Sequence, residues 1–366
     1  MKEGRKIKNI AIVGLGFMGG SLAKALRQKI PVTITAVEQD KNVIDKSIKE
    51  GTIQYGETDF NQTEWGIFDF IIFCTPVEPT IRMMKKLNGK INENCIVTDI
   101  GSTKSEIIET AKGINYEFIG GHPMVGSEKN GYDNAKAHLY ENAYFVITPL
   151  ITTSKAKIER LKELILSIGS IPVEVSPEKH DLVTAVISHV PHIVASALVN
   201  MVTEFSREDD IMYKLAAGGF KDITRIASSS PDLWKQISVS NQEKINIVLK
   251  KFILSISEYS KKLDDYNEEY IYKYFAGAKS TRDQFQEAIS TDIPNQFSLI
   301  VDIEDIPGMI AKISNLLYEE GINIKNIGII HNREFENGCL KIIFDKKHDQ
   351  TLAFKILKNN FYQVYL

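Results

Sequence analysis

Two hydrophobic periods alternate over residues 1–176. Apolar runs at 7–13, 32–37, 68–74, 95–98, 116–119, 143–148 and 172–175 are short and read as strands. Stretches with helical spacing separate most of them, as at 42–50, 80–87 and 155–168. Strand alternating with helix predicts a mostly parallel, doubly wound α/β sheet. The pattern changes at Ser176-Pro177. From there to about Ala288 no strand-like run occurs, only helical periodicity broken at Gly218-Gly219 and around 228–231, so 177–290 should form an all-helical domain. From Phe297 the order strand, helix, two strands, helix and a last strand predicts a βαββαβ module over 297–366.

Composition adds bounds. A chain of 366 residues with 43% hydrophobic positions can build two or three cored domains. Its formal charge of −3 and pI near 6.2 give no footprint for nucleic acid or a membrane surface. The three cysteines, Cys74, Cys95 and Cys339, lack paired spacing, which suggests neither a disulfide framework nor a zinc site and fits a reducing cytoplasm. The charged start lacks the apolar core of a signal peptide. Residues 182–202 are apolar nearly all round and long enough to span a bilayer. They carry His189, Pro191, His192 and Asn200, costly in lipid, so a helix buried in a protein or dimer core fits better.

Candidate chemistry begins at Gly14-Leu15-Gly16-Phe17-Met18-Gly19, between the first strand and a helix pattern. In this Rossmann-type fingerprint Gly14 permits the tight turn, Gly16 lets backbone approach a pyrophosphate, and Gly19 lets helix pack on strand. The helix's first amides then face the phosphates. The second strand ends at Glu38, whose carboxylate suits a ribose 2′-hydroxyl and repels a 2′-phosphate, which favours NAD over NADP. A solvated strand-end glutamate is the alternative.

Three further loops fall at carboxyl ends of strands, where open α/β sheets keep ligands. Cys74-Thr75-Pro76-Val77 puts Thr75 and Pro76 beside the cofactor. Asp99-Ile100-Gly101-Ser102-Thr103-Lys104 offers Ser102, which either meets a substrate hydroxyl or caps the helix beginning near Lys104. Gly120-Gly121-His122-Pro123 places a histidine, suited to moving protons at neutral pH, in a glycine-rich loop ahead of Glu128 and Lys129. In the helical region, Ser188-His189-Val190-Pro191-His192 holds either site histidines or satisfied core ones. Lys221 and Arg225 stand one turn apart, an arginine is the natural fork for a carboxylate, and Trp234 can wall an aromatic-sized pocket.

These motifs, in this order and spacing over residues 7–290, closely resemble prephenate dehydrogenase. Asp305-Ile306-Pro307-Gly308 and Gly321-Ile322-Asn323-Ile324 resemble an appended ACT domain of ferredoxin-like fold. The resemblance implies NAD-dependent oxidative decarboxylation of prephenate to 4-hydroxyphenylpyruvate, CO₂ and NADH in tyrosine biosynthesis. It makes His122 the catalytic histidine and Ser102 its hydroxyl-binding partner. Ser188, His189, His192, Lys221, Asp222, Arg225 and Trp234 fall on substrate-pocket positions, with Glu128 at the pocket's edge. It further implies a homodimer paired through the helical domain. Tyrosine would act as a feedback effector at the ACT domain, near Asp305, Pro307, Gly308 and Asn323. Such a reaction needs a base, a positioned acceptor and charge recognition, and no metal. Arogenate dehydrogenase, or a non-catalytic sensor of a nucleotide and an amino acid, are the competing readings.

Overall fold

The computed structural model describes residues 7–126, 129–206, 210–291, 297–304, 306–330, 338–344 and 346–365. The chain forms two compact units, Met1–Lys261 and Lys262–Leu366.

The first unit opens with an eight-stranded sheet. Its strands are β1 (Asn9–Val13), β2 (Thr33–Val37), β3 (Tyr55–Glu57), β4 (Phe70–Phe73), β5 (Ile96–Asp99), β6 (Phe118–Pro123), β7 (Tyr144–Pro149) and β8 (Ile171–Glu174). They lie in the order β3-β2-β1-β4-β5-β6-β7-β8, and every neighbouring pair is parallel except β6 with β7. Helices α1 (Phe17–Lys29), α2 (Lys41–Lys49), α3 (Val77–Lys86), α4 (Ser105–Ala111) and α5 (Lys155–Ser167) connect them.

The apolar runs follow from burial on both faces. Along β1, Ile10 and Ile12 join a core with Leu22 and Leu26 of α1 and Leu161 and Leu164 of α5. Ala11 and Val13 point the other way, into a core with Met84 of α3 and Ile107 of α4. The edge strand β3 was not legible in the sequence: it has three residues, Tyr-Gly-Glu, and no buried position. Strand β6 runs on through Gly120-Gly121-His122, read above as loop. There the antiparallel β7 sets His122 opposite Val146. Its two glycines let it pass close to its neighbours: an added Cβ would lie 2.2 Å from Thr148 Oγ1 at Gly120 and 2.4 Å from the Asp99 carbonyl oxygen at Gly121.

The chain then turns helical. It comprises α6 (Pro177–Thr184), a wide π turn (Ala185–His189), α7 (Val190–Phe205), α8 (Ile211–Leu215), α9 (Gly218–Thr224), α10 (Pro231–Ser240), α11 (Gln242–Asp264) and α12 (Glu268–Thr291). Helix α6 starts where sequence grammar says it should, with the Ser176 hydroxyl accepting from the Lys179 amide and Pro177 in the first turn. The apolar stretch 182–202 is not buried within one chain. Ala185, His189, Val190 and Ala195 face inward, while Leu182, Val186, Ile187, Met201 and Phe205 are exposed.

The second unit contains α12 and a four-stranded antiparallel sheet. Its strands are β9 (Phe297–Ile303), β10 (Asn326–Ile330), β11 (Gly338–Phe344) and β12 (Val364–Tyr365), in the order β10-β11-β9-β12. Helices α13 (Met309–Glu319) and α14 (Lys347–Asn359) pack Ile313, Leu317, Ala353 and Leu357 onto Leu299, Val301, Leu340 and Ile342 of the sheet.

Candidate active site

A cavity of about 340 Å³ opens in the first unit between the strand ends and the helices. Ser102 and His122 line it from the sheet; Ser188, His189, His192, Arg225 and Trp234 line it from the helical region. The structure thus gathers residues 132 positions apart in sequence, from Ser102 to Trp234, around one space. Lys221 and Asp222 are exposed on α9 and do not line it. Glu128 and Asp305 lie outside the described residues.

His122 does not stand alone. Its Nδ1 is 2.8 Å from Nε2 of His180, and Nδ1 of His180 is 2.8 Å from Oδ1 of Asp181. Asp181 also accepts the backbone amides of Lys104 (2.8 Å) and Ser105 (2.7 Å), the opening of α4. A carboxylate fixed by two amides at a helix start stays ionised, and these bonds, with that of the His180 ring, hold Asp181 below its usual range against the opposing effect of burial. The charge sets the tautomers. His180 donates from Nδ1 to Asp181, so its Nε2 accepts from His122 Nδ1, and His122 is left with Nε2 as its unprotonated nitrogen. Burial, then the neighbouring His180, the Lys104 ammonium and His189, push His122 well below the ordinary histidine range, keeping it neutral.

Ser102 is not the cap of α4. That position belongs to Lys104, and Asp181 occupies the first amides, so the serine hydroxyl is left to the cavity.

On the helical side, His189 is buried with Nδ1 3.0 Å from Asn241 Nδ2, which also donates to the Asp181 carbonyl (2.8 Å). Burial lowers its pKa to about 4, so it is a neutral imidazole whose proton sits on Nε2. His192 donates from Nδ1 to the Ser188 carbonyl (2.9 Å) and stacks on Trp234 at 3.7 Å. Burial, assisted by Arg225, also shifts it downward. The Thr103 and Ser240 hydroxyls, 2.9 Å apart, tie α10 to the Ser102 loop. The cavity lining therefore includes a stacked aromatic pair, a guanidinium and a neutral imidazole.

A second cavity, of about 630 Å³, adjoins Gly14, Glu38, Thr75 and Pro76. Its glycine turn fits a dinucleotide. Gly14 has φ +93°, and a Cβ on Gly19 would lie 2.1 Å from the Gly14 carbonyl oxygen, whereas one on Gly16 would meet nothing within 4 Å. Open space at Gly16 is where backbone can approach a pyrophosphate. Leu15, Phe17 and Met18 fill the turn, with Leu15 and Phe17 buried. Glu38 accepts the amides of Leu15 (2.7 Å) and Asp40 (3.1 Å), which fixes its carboxylate beside the turn.

The sequence reading passed over His180, Asp181 and Asn241. No local motif marks them, because their contacts form only where α6 meets the start of α4 and α10 is followed by Asn241.

A doubly wound domain with a glycine-turn groove, and beside it a neutral histidine in an aromatic-walled cavity, defines a dinucleotide-dependent oxidoreductase. Family models match in agreement: "Prephenate dehydrogenase, nucleotide-binding domain" over residues 22–173 and "Prephenate dehydrogenase, dimerization domain" over 176–277. The chain is 38% identical to the prephenate dehydrogenase of Bacillus subtilis, across 94% of each. Among solved structures, prephenate dehydrogenase from Aquifex aeolicus, in complex with hydroxyphenyl propionate and NAD⁺, superposes with TM-score 0.72 and 33% identity. That match covers 77% of this chain and all of the other. Synechocystis arogenate dehydrogenase follows at TM-score 0.67 and 26% identity, covering 76% and 99%. The chain belongs to the prephenate dehydrogenase family.

Proposed function

We propose that the protein oxidatively decarboxylates prephenate to 4-hydroxyphenylpyruvate with NAD, and that His122 is its general base. The observation that carries this reading is the chain from His122 through His180 to Asp181, which leaves a neutral imidazole with an unprotonated Nε2 in the cavity lining. NAD, when bound, supplies the hydride acceptor; Gly14, Gly16, Gly19, Glu38, Thr75 and Pro76 would hold it. His122 takes the proton of the substrate's 4-hydroxyl while Ser102 holds that oxygen. As positive charge builds on the imidazole, His180 and the fixed Asp181 carboxylate stabilise it. Arg225 grips a carboxylate bidentately, and Trp234 with His192 forms a flat wall for the ring. Loss of the ring carboxylate as CO₂ aromatises the product, which makes the reaction strongly downhill.

Arogenate is the second reading, favoured by the similarity to the Synechocystis enzyme. The test is formation of NADH, followed by near-ultraviolet absorbance, with NAD and either prephenate or arogenate. A higher kcat/KM for prephenate is expected; the reverse order would make arogenate the substrate, and no NADH with either would remove the activity.

Two finer points belong to the same reading. Residues 297–366 act as an ACT domain through which tyrosine inhibits. The βαββαβ order supports this, as does Gly308 with φ +93° at the start of α13, where amides suit a ligand carboxylate. Pro307 immediately precedes that glycine, and Asn323 follows the next turn, beyond α13; both are exposed. The chain also acts as a cytoplasmic homodimer. The exposed apolar face of α6–α7 and the match to a dimerization domain support pairing, and three unpaired cysteines suit a reducing compartment.

A further inference from the structure

Beneath Ser102 and His122 lies an ion pair outside the proton path. Asp99 and Lys104 are almost completely buried, at 1% and 0% exposure, with Lys104 Nζ bonded to Asp99 Oδ2. A buried ion pair is a weak source of stability, because desolvation offsets most of the attraction. Its remaining contacts give it another use. Asp99 Oδ2 accepts the Gly101 amide at 2.8 Å and Asp99 Oδ1 accepts the Gly121 amide at 2.9 Å. Gly101 immediately precedes Ser102, and Gly121 immediately precedes His122. One carboxylate thus grips the backbone one residue upstream of each group that meets the substrate hydroxyl.

Lys104 extends the same grip. While its ammonium holds Asp99, its own amide donates to Asp181, the carboxylate that orients His180. The glycines complete the fit. A Cβ on Gly101 would lie 2.8 Å from Asp99 Oδ2, and one on Gly120 would lie 3.1 Å from Lys104 Cδ. Side chains there would force the backbone off the pair.

We propose that Asp99, held by Lys104, is a positioning residue for the reaction, clamping the Ser102 and His122 backbones at the separation the substrate hydroxyl requires. This rests on the reading of His122 as the base. Asp99→Asn keeps the shape but replaces one acceptor oxygen with a donor, so the side chain can no longer serve both amides and the ammonium. Misplacement by about 1 Å costs up to ~10²-fold in rate, so kcat at saturating prephenate and NAD should fall by roughly 10- to 100-fold. KM for NAD and NADH binding should hold, because the glycine turn is untouched. Asp99→Glu restores the charge but not the reach and should remain impaired. In a His122→Asn background, Asp99→Asn should cost clearly less than it does alone, because one of the two groups it positions is already gone.

Unchanged kcat in Asp99→Asn, recovery in Asp99→Glu, or a full additive loss in the double variant would overturn the clamp. If Asp99→Asn strands the Lys104 charge and prevents folding, Asp99→Asn/Lys104→Met removes both charges. The same loss of kcat is expected there, and normal turnover would again overturn it. The two readings fail separately. Normal turnover in His122→Asn would remove the base and the clamp together, while loss there with normal turnover in Asp99→Asn would remove the clamp alone.

Discussion

At the scale of single residues, the site turns on how its neighbours set the state of one imidazole. Burial and the adjacent His180, Lys104 and His189 all disfavour a proton on His122. A general base acts only when neutral, so on the proposed role the rate should be flat above the His122 pKa and fall as pH drops through it. The acid limb of kcat/KM should therefore lie below the ordinary histidine value of about 6.5; a limb at or above that value would contradict the assignment. His122→Asn should lower kcat by roughly 10²–10⁴-fold, the usual range for a positioned base, with KM for prephenate changed far less. Arg225 differs in kind. Its guanidinium forms part of the cavity lining, so Arg225→Ala should raise KM strongly with a smaller effect on kcat, and Arg225→Lys should not restore the two-pronged grip. An unchanged KM would move carboxylate recognition to the histidines. His122 and Arg225 were legible in the sequence because each sits in a distinctive local motif. His180 and Asp181 were not, because their role exists only where α6 meets the start of α4, and no local spacing encodes that meeting.

At the scale of elements, legibility followed burial. Strands covered on both faces, such as β1 and β4, announce themselves as apolar runs, while the exposed β3 has no such signal. The Gly-Gly-His segment carried a loop's composition for a strand's reason: its glycines permit close approach to Asp99 and Thr148. The π turn at Ala185–His189 was likewise invisible, since nothing in the hydrophobic period distinguishes it from the flanking helix. At the end of β2, the Glu38 carboxylate proposed to read the ribose also accepts the Leu15 amide, so the proposal ties cofactor choice to turn geometry. Glu38→Ser should reduce the ratio of kcat/KM for NAD to that for NADP and also weaken NAD binding by loosening the turn. A ratio that does not move would transfer ribose recognition to the neighbours of Glu38, Gln39 among them, which lines the same groove.

At the scale of the whole molecule, two features reach beyond the cavity at His122. One is the apolar face of α6–α7, exposed at Leu182, Val186, Ile187, Met201 and Phe205. Its apolar pattern was plain in the sequence; that one chain leaves so much of it exposed was not, because periodicity does not say what a helix packs against. The other is the second unit. For tyrosine to inhibit through that module, it must favour a less active arrangement by a coupling of about 1–3 kcal/mol, equivalent to a roughly 5- to 150-fold change in affinity. A chain truncated near Pro294 should therefore keep NAD-dependent turnover of prephenate and lose its inhibition by tyrosine, provided circular dichroism shows the remaining core folded. Steady-state rates at increasing tyrosine for the full and truncated chains decide the matter. Inhibition that persists unchanged after truncation would mean that tyrosine competes in the cavity beside His122, and the regulatory role of residues 297–366 would have to be given up.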